Sequence, residues 1–131
     1  MKLALFWGLL SVALWAMPGD YWAHEEAFEL RKDQFASWEM DDRILSIRWS
    51  LFHNRGLVTH IKYDHFPIQN ILYENYKRNS MQVRLKTHRQ VRPPEPYVRI
   101  IFERFDAEEK VAHLRLYLFD PEGIVNLMRA E

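Results

Sequence analysis

The sequence contains no cysteine. Disulfide bonds, thiolate nucleophiles, zinc–cysteine sites, iron–sulfur clusters and a lipidated N-terminal cysteine are therefore excluded. Glycine is also scarce, and beyond residue 19 only Gly56 and Gly123 remain. A loop that cradles phosphates needs a glycine-rich run, so the usual nucleotide-binding signatures are excluded as well.

The chain also lacks an excess of charge of either sign. The 18 Lys and Arg residues balance 18 Asp and Glu residues, which gives a formal charge of zero at pH 7. Domains that bind nucleic acid in the usual way are strongly positive, so no nucleic-acid partner is expected. The 131 residues are 48% hydrophobic and 15% aromatic. That composition is enough for a packed core, and the length predicts one domain, with or without a targeting segment.

The N-terminal residues have the pattern of a secretory signal. Lys2 is followed by an uncharged run from Leu3 to Gly19, and a small residue, Ala16, lies near its end. We therefore predict a signal peptide over residues 1–19 and a single β-rich domain over residues 20–131. An uncleaved membrane anchor is the alternative, although about 16 helical residues span only about 24 Å of a hydrocarbon core of about 30 Å.

The expected location follows from this leader and from the absence of thiols. A cysteine-free exported domain suits a bacterial periplasm or cell surface better than a disulfide-stapled secreted scaffold does. If the leader stays attached, the protein is instead anchored in the membrane by its N-terminal segment. Residues 1–19 would then hold the domain close to the membrane.

Beyond the leader the dominant hydrophobic period is two, which indicates β-strands. The clearest hairpin joins Arg43–His53 to Leu57–His65 through residues 54–56. A three-residue loop whose last residue is a left-handed glycine would pair His53 with Leu57. This register places one mostly apolar and one mostly polar face on the hairpin.

A second long hairpin is predicted for Tyr97–Phe105 and Val111–Phe119. Pairing Phe105 with Val111 gathers the apolar side chains of both strands on one face. Shorter alternating segments complete the predicted strands, and they are Ala27–Arg31, Gln34–Met40 and Met81–His88.

Two segments favour helices instead. In residues 67–79, Ile68, Ile71, Leu72 and Tyr76 recur at spacings of three and four, with a proline at the start, which favours a middle helix. An irregular connection is the alternative, because asparagine recurs there and is a weak helix former. Asp120 followed by proline predicts the cap of a short C-terminal helix.

The fold class that follows is mainly β, or α+β. We expect about seven antiparallel strands arranged in hairpins, one middle helix and a short C-terminal helix. Each hairpin has an apolar face that must be covered. The two sheets therefore stack as a sandwich, or a single sheet is covered by the middle helix. The pattern leaves both arrangements open.

No catalytic or metal-binding motif stands out, and we predict neither an enzyme nor a cofactor. Ser50 faces His60 in the first hairpin, but neither a third catalytic group nor an oxyanion donor is evident. The acidic pairs at 41–42 and 108–109 fall where turns are expected, and turn acids are usually solvated. His60 and Asp64 share a strand face but lie about 13 Å apart, too far to bind one ion.

The strongest binding signal is an uneven distribution of charge. No acid occurs between Glu74 and Glu95. The residues predicted from this stretch to bind a partner are Lys77, Arg78, Arg84, Lys86, His88, Arg89 and Arg92. Such a run suits an acidic partner, and nearby tyrosines 73, 76 and 97 would supply anchors. The alternative is an edge strand that positive charge protects against aggregation.

These observations predict a non-enzymatic, exported module with a structural or interaction role in the cell envelope. Its partner would be another envelope protein or complex, or an anionic envelope component. The alternative is a periplasmic domain that binds a small ligand or a metal. Its site would be a cavity between sheet and helix, or a set of histidines that folding brings together.

Overall fold

The computed structural model describes residues 21–75, 77–87 and 93–130, and nine β-strands form within these ranges. The strands are β1 His24–Arg31, β2 Ala36–Met40, β3 Arg43–His53, β4 Gly56–Tyr63, β5 Phe66–Tyr73, β6 Ser80–Arg84, β7 Tyr97–Asp106, β8 Val111–Phe119 and β9 Leu127–Ala130. The predicted mainly β class is confirmed. All strand pairs are antiparallel.

The strands form two sheets that pack face to face. One has four strands in the order β1-β8-β7-β6, and the other has five in the order β5-β4-β3-β2-β9. Apart from Val111 and Phe119, the buried apolar side chains of both sheets belong to one core cluster. The arrangement is therefore a sandwich, and the alternative of a single sheet under a helix is wrong.

Aromatic side chains carry much of the contact between the sheets. Phe28 on β1 meets Trp38 on β2 edge to face, with ring centroids 5.0 Å apart, and Trp49 meets Phe105 in the same way at 5.5 Å. The buried indole N–H of Trp49 donates to the backbone oxygen of Leu30 across the interface, at 2.8 Å. Burying these rings removes a large apolar area from water without leaving a polar tip unpaired.

The first hairpin has a tighter turn than predicted. His53 pairs with Gly56, and the two loop residues, Asn54 and Arg55, both have positive φ, at 51° and 65°. This geometry matches the right-handed twist of a hairpin. Gly56 is not left-handed but lies in β4, where an added Cβ would come within 2.9 Å of Tyr73 Cε1.

A bulge at Ser50 then shifts the register, so that Leu45 pairs with Tyr63 instead of the predicted His65. The error is two residues. Because side chains alternate with period two, the residues of β4 and those of β3 from Leu45 to Trp49 keep their predicted faces. Beyond the bulge the prediction is wrong, because Leu51, expected on the apolar face, is 53% exposed and Phe52 packs against the core instead.

The second hairpin follows the predicted register in its long arm. Val98 faces Leu118 and Phe102 faces Leu114, as expected. Near the turn, Phe105 pairs with Ala112 rather than with Val111, because an irregularity between Phe102 and Arg104 displaces the ladder. The apolar faces of β7 and β8 are buried as predicted.

The predicted middle helix is wrong, because β5 occupies most of that segment and pairs with β4. Its core-side residues, Ile68 and Leu72, are four apart, and a spacing of four fits a strand face as well as a helix face. The third member of the supposed stripe, Ile71, is 44% exposed on the other face. Tyr76 lies outside the described residues.

The predicted C-terminal helix is also wrong. Asp120 is buried, and its carboxylate accepts hydrogen bonds from the backbone N–H groups of Ile124 and Val125, at 3.1 and 2.8 Å. The expected cap therefore stabilises a loop rather than a helix. The loop leads into β9, which pairs with β2 at the sheet edge.

The predicted leader, residues 1–19, lies outside the described residues. Within the described ranges, no helix has the length and hydrophobicity required to cross a membrane.

A polar cluster joins the two sheets beside β9. Glu26 on β1 accepts a hydrogen bond from the indole of buried Trp38, at 3.1 Å, and forms an ion pair with Arg129 on β9. The Arg129 guanidinium also lies 5.0 Å from the Trp38 ring centroid. Burial alone would raise the pKa of Glu26, but hydrogen bonds from His24, Trp38 and Arg129 outweigh it and hold that pKa below its ordinary value of 4.5.

The core predicts a large cost for truncating Phe102, which is fully buried. Phe102→Ala should lower the free energy of unfolding by about 3–5 kcal/mol, through lost transfer energy and a residual cavity. The matched control is Phe35→Ala, because Phe35 is 61% exposed. Its cost should stay below about 1 kcal/mol in urea unfolding. Equal losses for both variants would contradict the assigned core.

The Glu26 cluster predicts an acid-dependent contribution to stability. A carboxyl whose pKa is depressed by folding stabilises the protein above its unfolded pKa, and that stability is lost as pH falls through the folded pKa. Glu26→Gln should therefore cost about 1–2 kcal/mol at pH 7 and progressively less below pH 4.5. Urea unfolding across this pH range measures the difference.

Glu29→Gln on the same strand serves as the control, because Glu29 is exposed and its only ion-pair partner in the described ranges is His113, at 3.4 Å. Its effect should be within about 0.5 kcal/mol at every pH. If Glu26→Gln lowers the free energy of unfolding by the same amount at neutral and acidic pH, the negative charge of Glu26 does not stabilise the protein.

Candidate binding surface

The predicted cationic stretch surrounds β6, which is an edge strand of the four-stranded sheet. Lys77 and Arg78 precede the strand, Arg84 ends it and Lys86 follows it. β6 is about 13 Å long, so the structure divides these cations between its two ends instead of bringing them together. The remaining predicted residues, His88, Arg89 and Arg92, lie outside the described residues.

Lys86 is engaged within the protein. Its ammonium lies 3.0 Å from Asp64 and 4.8 Å from the ring centroid of Phe66. The hydrogen bond from Lys86, with the nearby charge of Arg43, lowers the pKa of Asp64. The Lys86 backbone N–H also donates to the Tyr63 hydroxyl, at 2.9 Å. Lys86 thus joins the segment after β6 to the five-stranded sheet.

Arg84 is placed differently. It lies on the outer face of the four-stranded sheet, opposite Tyr97 on β7, and its side chain is 81% exposed. Its ion pair with Glu95 is long, at 3.9 Å, and exposed pairs of this kind are weak. The guanidinium therefore remains available to an anionic group.

A groove of about 460 Å³ opens beside Arg84. We call it the β6 groove, and its lining residues are Gln82, Arg84, Pro93, Pro94, Glu95 and Tyr97. The groove combines a cation, an amide, an aromatic ring and rigid proline walls. These groups suit the recognition of an extended polar segment.

An aromatic cluster continues the surface beyond Tyr97. Tyr97 stacks on Phe119 with ring centroids 4.9 Å apart. The Trp22 ring centroid lies 5.0 Å from that of Tyr117 and 6.0 Å from that of Tyr97. The Tyr21 ring packs on Phe119, with ring centroids 4.9 Å apart. Burial and the neighbouring Tyr21 raise the pKa of Tyr97.

Arg99 connects the aromatic cluster to β6. It pairs with Gln82 across the sheet, and its guanidinium carbon lies 6.0 Å from the Trp22 ring centroid. Its Nε is buried without a hydrogen-bond partner among the described residues. A stacked, partly desolvated guanidinium of this kind is typical of interface chemistry.

The sequence analysis did not predict that Trp22, Arg99 and most of the aromatic cluster belong to the binding surface, although one feature of the sequence indicated the cluster. The predicted register of the second hairpin already places Tyr97 opposite Phe119, as the structure does. That pairing puts aromatic residues next to each other on the outer face of the sheet. The contact with Trp22 joins residues far apart in sequence and has no local signal.

The other candidate chemistries remain incomplete in the described ranges. The Ser50 hydroxyl and His60 Nε2 are 2.7 Å apart, but no described carboxylate bonds the second ring nitrogen. No group of three or more His, Asp or Glu residues in the described part of the chain is placed to bind a metal. The acidic pairs at 41–42 and 108–109 lie in or beside turns.

The chain was compared with protein-family models, with curated proteins and with solved structures, and none of them matches it. The chemistry of the β6 groove follows from its own residues. Arg84 offers a cation, Gln82 an amide, and Tyr97 an aromatic face that continues into the aromatic cluster.

Proposed function

We propose that this protein is a non-enzymatic, exported module of the cell envelope that binds an acidic segment of another envelope protein through the β6 groove. The observation that carries the proposal is the position of the exposed Arg84 beside Tyr97 at the open end of an edge strand. Arginine and aromatic residues dominate the energetics of protein interfaces.

The edge position of β6 supports an extended partner. No described strand pairs with its outer side, because β6 ends the order of the four-stranded sheet. An incoming segment would hydrogen-bond to the exposed backbone while its acidic side chains meet Arg84. The prolines of the β6 groove would limit how such a segment can lie.

The proposed location rests on the leader. Residues 1–19 have the pattern of a signal peptide, and a chain without cysteine does not depend on oxidative folding after export. If the leader is retained, the same surface would act next to the membrane. Whether the leader is cleaved or retained, the proposed partner would be in the envelope.

Charge reversal at Arg84 tests the proposal. A photo-crosslinker at Gln82 in the full chain should capture a partner peptide rich in Asp and Glu from the native envelope. Arg84→Glu should reduce that capture at least about tenfold, which corresponds to about 1.4 kcal/mol. The melting temperature should hardly change, because the Arg84 side chain is 81% exposed.

Lys32→Glu is the matched control, since Lys32 is exposed in the turn between β1 and β2, at the other end of the sheet. It should leave capture unchanged. If Arg84 serves only to protect the edge strand, Arg84→Glu will promote aggregation without reducing capture per folded molecule. That result, or crosslinks only to lipid or polymer, would contradict the proposed partner.

A further inference from the structure

The five-stranded sheet carries a second groove, on its outer face, that is separate from the β6 groove. Its volume is about 500 Å³, and it lies over the first half of β3, the second half of β4 and the start of β5. Strand register places two rows of three side chains beneath it, and they are Ser46, Lys62 and Pro67 in one row and Arg48, His60 and Gln69 in the other. We call this site the central groove.

The central groove has an excess of positive charge. Lys62 is exposed and forms no ion pair with any described residue, while Arg48 pairs with Asp33 at 2.9 Å. Asp64, beyond Lys62 along the chain, already pairs with Lys86 and Arg43, at 3.0 and 3.5 Å. The described acids near the groove therefore do not neutralise Lys62.

The outer face of the other sheet shows the contrast. There Arg115 lies between two carboxylates, with Glu25 at 2.7 Å and Glu103 at 2.8 Å. On the five-stranded sheet, the acid that β2 contributes to the outer face, Glu39, lies opposite Ile44 instead of beside Lys62. Lys62 therefore lacks the carboxylate neighbours that neutralise Arg115.

Two of the donor groups are held in position. Asp33 holds one end of the Arg48 guanidinium by an ion pair and leaves its other N–H donors available. The guanidinium carbon lies 5.9 Å from the Phe35 ring centroid. The Ser50 hydroxyl, displaced by the bulge in β3, orients the His60 ring through their 2.7 Å contact. Donors positioned in advance lose less entropy when a ligand binds.

The walls of the groove are apolar. Phe35 is 61% exposed, and Pro67 lies on the opposite side of the groove. An aromatic ring with this exposure offers a face for stacking. A volume of about 500 Å³ lies within the range of small-molecule sites.

We propose that the central groove binds a small organic phosphate. The phosphate would lie between Lys62 and Arg48 with hydrogen bonds from Ser46 and His60, and a ring or apolar body would lie against Phe35 and Pro67. A phosphate has more acceptor oxygens than a carboxylate, so it matches the Lys62 ammonium, the remaining N–H groups of Arg48 and the added donors better. The site does not depend on the function proposed for the β6 groove.

Phenyl phosphate is the probe, titrated into the full chain and followed by calorimetry and by amide chemical shifts. Binding should be saturable at millimolar concentrations, with shifts concentrated around residues 46–48, 60–62 and 67–69. Lys62→Gln should weaken it about tenfold, and Lys32→Gln should not. Phe35→Ala should weaken binding of phenyl phosphate while leaving binding of inorganic phosphate unchanged.

Absence of saturable binding would overturn the proposal, and so would binding that Lys62→Gln leaves unaltered. Equal affinity for benzoate and phenyl phosphate would overturn the assignment of a phosphate. Unchanged melting temperatures confirm that the variants are folded, since Lys62 and Phe35 are both exposed.

Discussion

The packing of two apolar sheet faces against each other is the constraint on which the rest of this structure depends. Trp38, Phe102 and Leu114 are buried between the sheets, and every second residue of the long strands points into the same core. Because side chains alternate along a strand, this burial fixes which residues face outward. The core thereby determines the composition of both outer faces, where Arg84 and Lys62 lie.

Much of the fold follows from the period of two. The alternation in β4, β7 and β8, and in β3 as far as Trp49, predicted which side chains face the core. Beyond Trp49 the bulge at Ser50 reverses the faces of β3, which the alternation did not predict, and Leu51 is exposed. The turn itself was harder to predict, because Asn54 and Arg55 both take positive φ without a glycine. The segment 67–79 was wrongly predicted to be a helix, because a spacing of four between apolar residues fits both a helix and a strand. Only pairing with β4 decides between the two.

Less of the candidate binding surface than of the fold could be predicted from the sequence. The charge run identified Arg84, but nothing local showed that the cations would be divided between the ends of β6, or that Lys86 would pair with Asp64. The aromatic cluster depends on Trp22 reaching Tyr117 across the sheet. The central groove likewise needs three strands in register. Sequence patterns locate strands and charges, whereas contacts between distant segments decide which side chains form a site.

Both candidate surfaces depend on the two sheets packing face to face. The most direct test is nuclear Overhauser spectroscopy of the aromatic rings in the full chain. Face-to-face packing predicts cross-peaks between the Trp49 indole and the Phe105 ring, whose centroids are 5.5 Å apart, and between the rings of Trp38 and Phe28. Absence of both sets of cross-peaks, together with helical sequential contacts over residues 67–79, would contradict it.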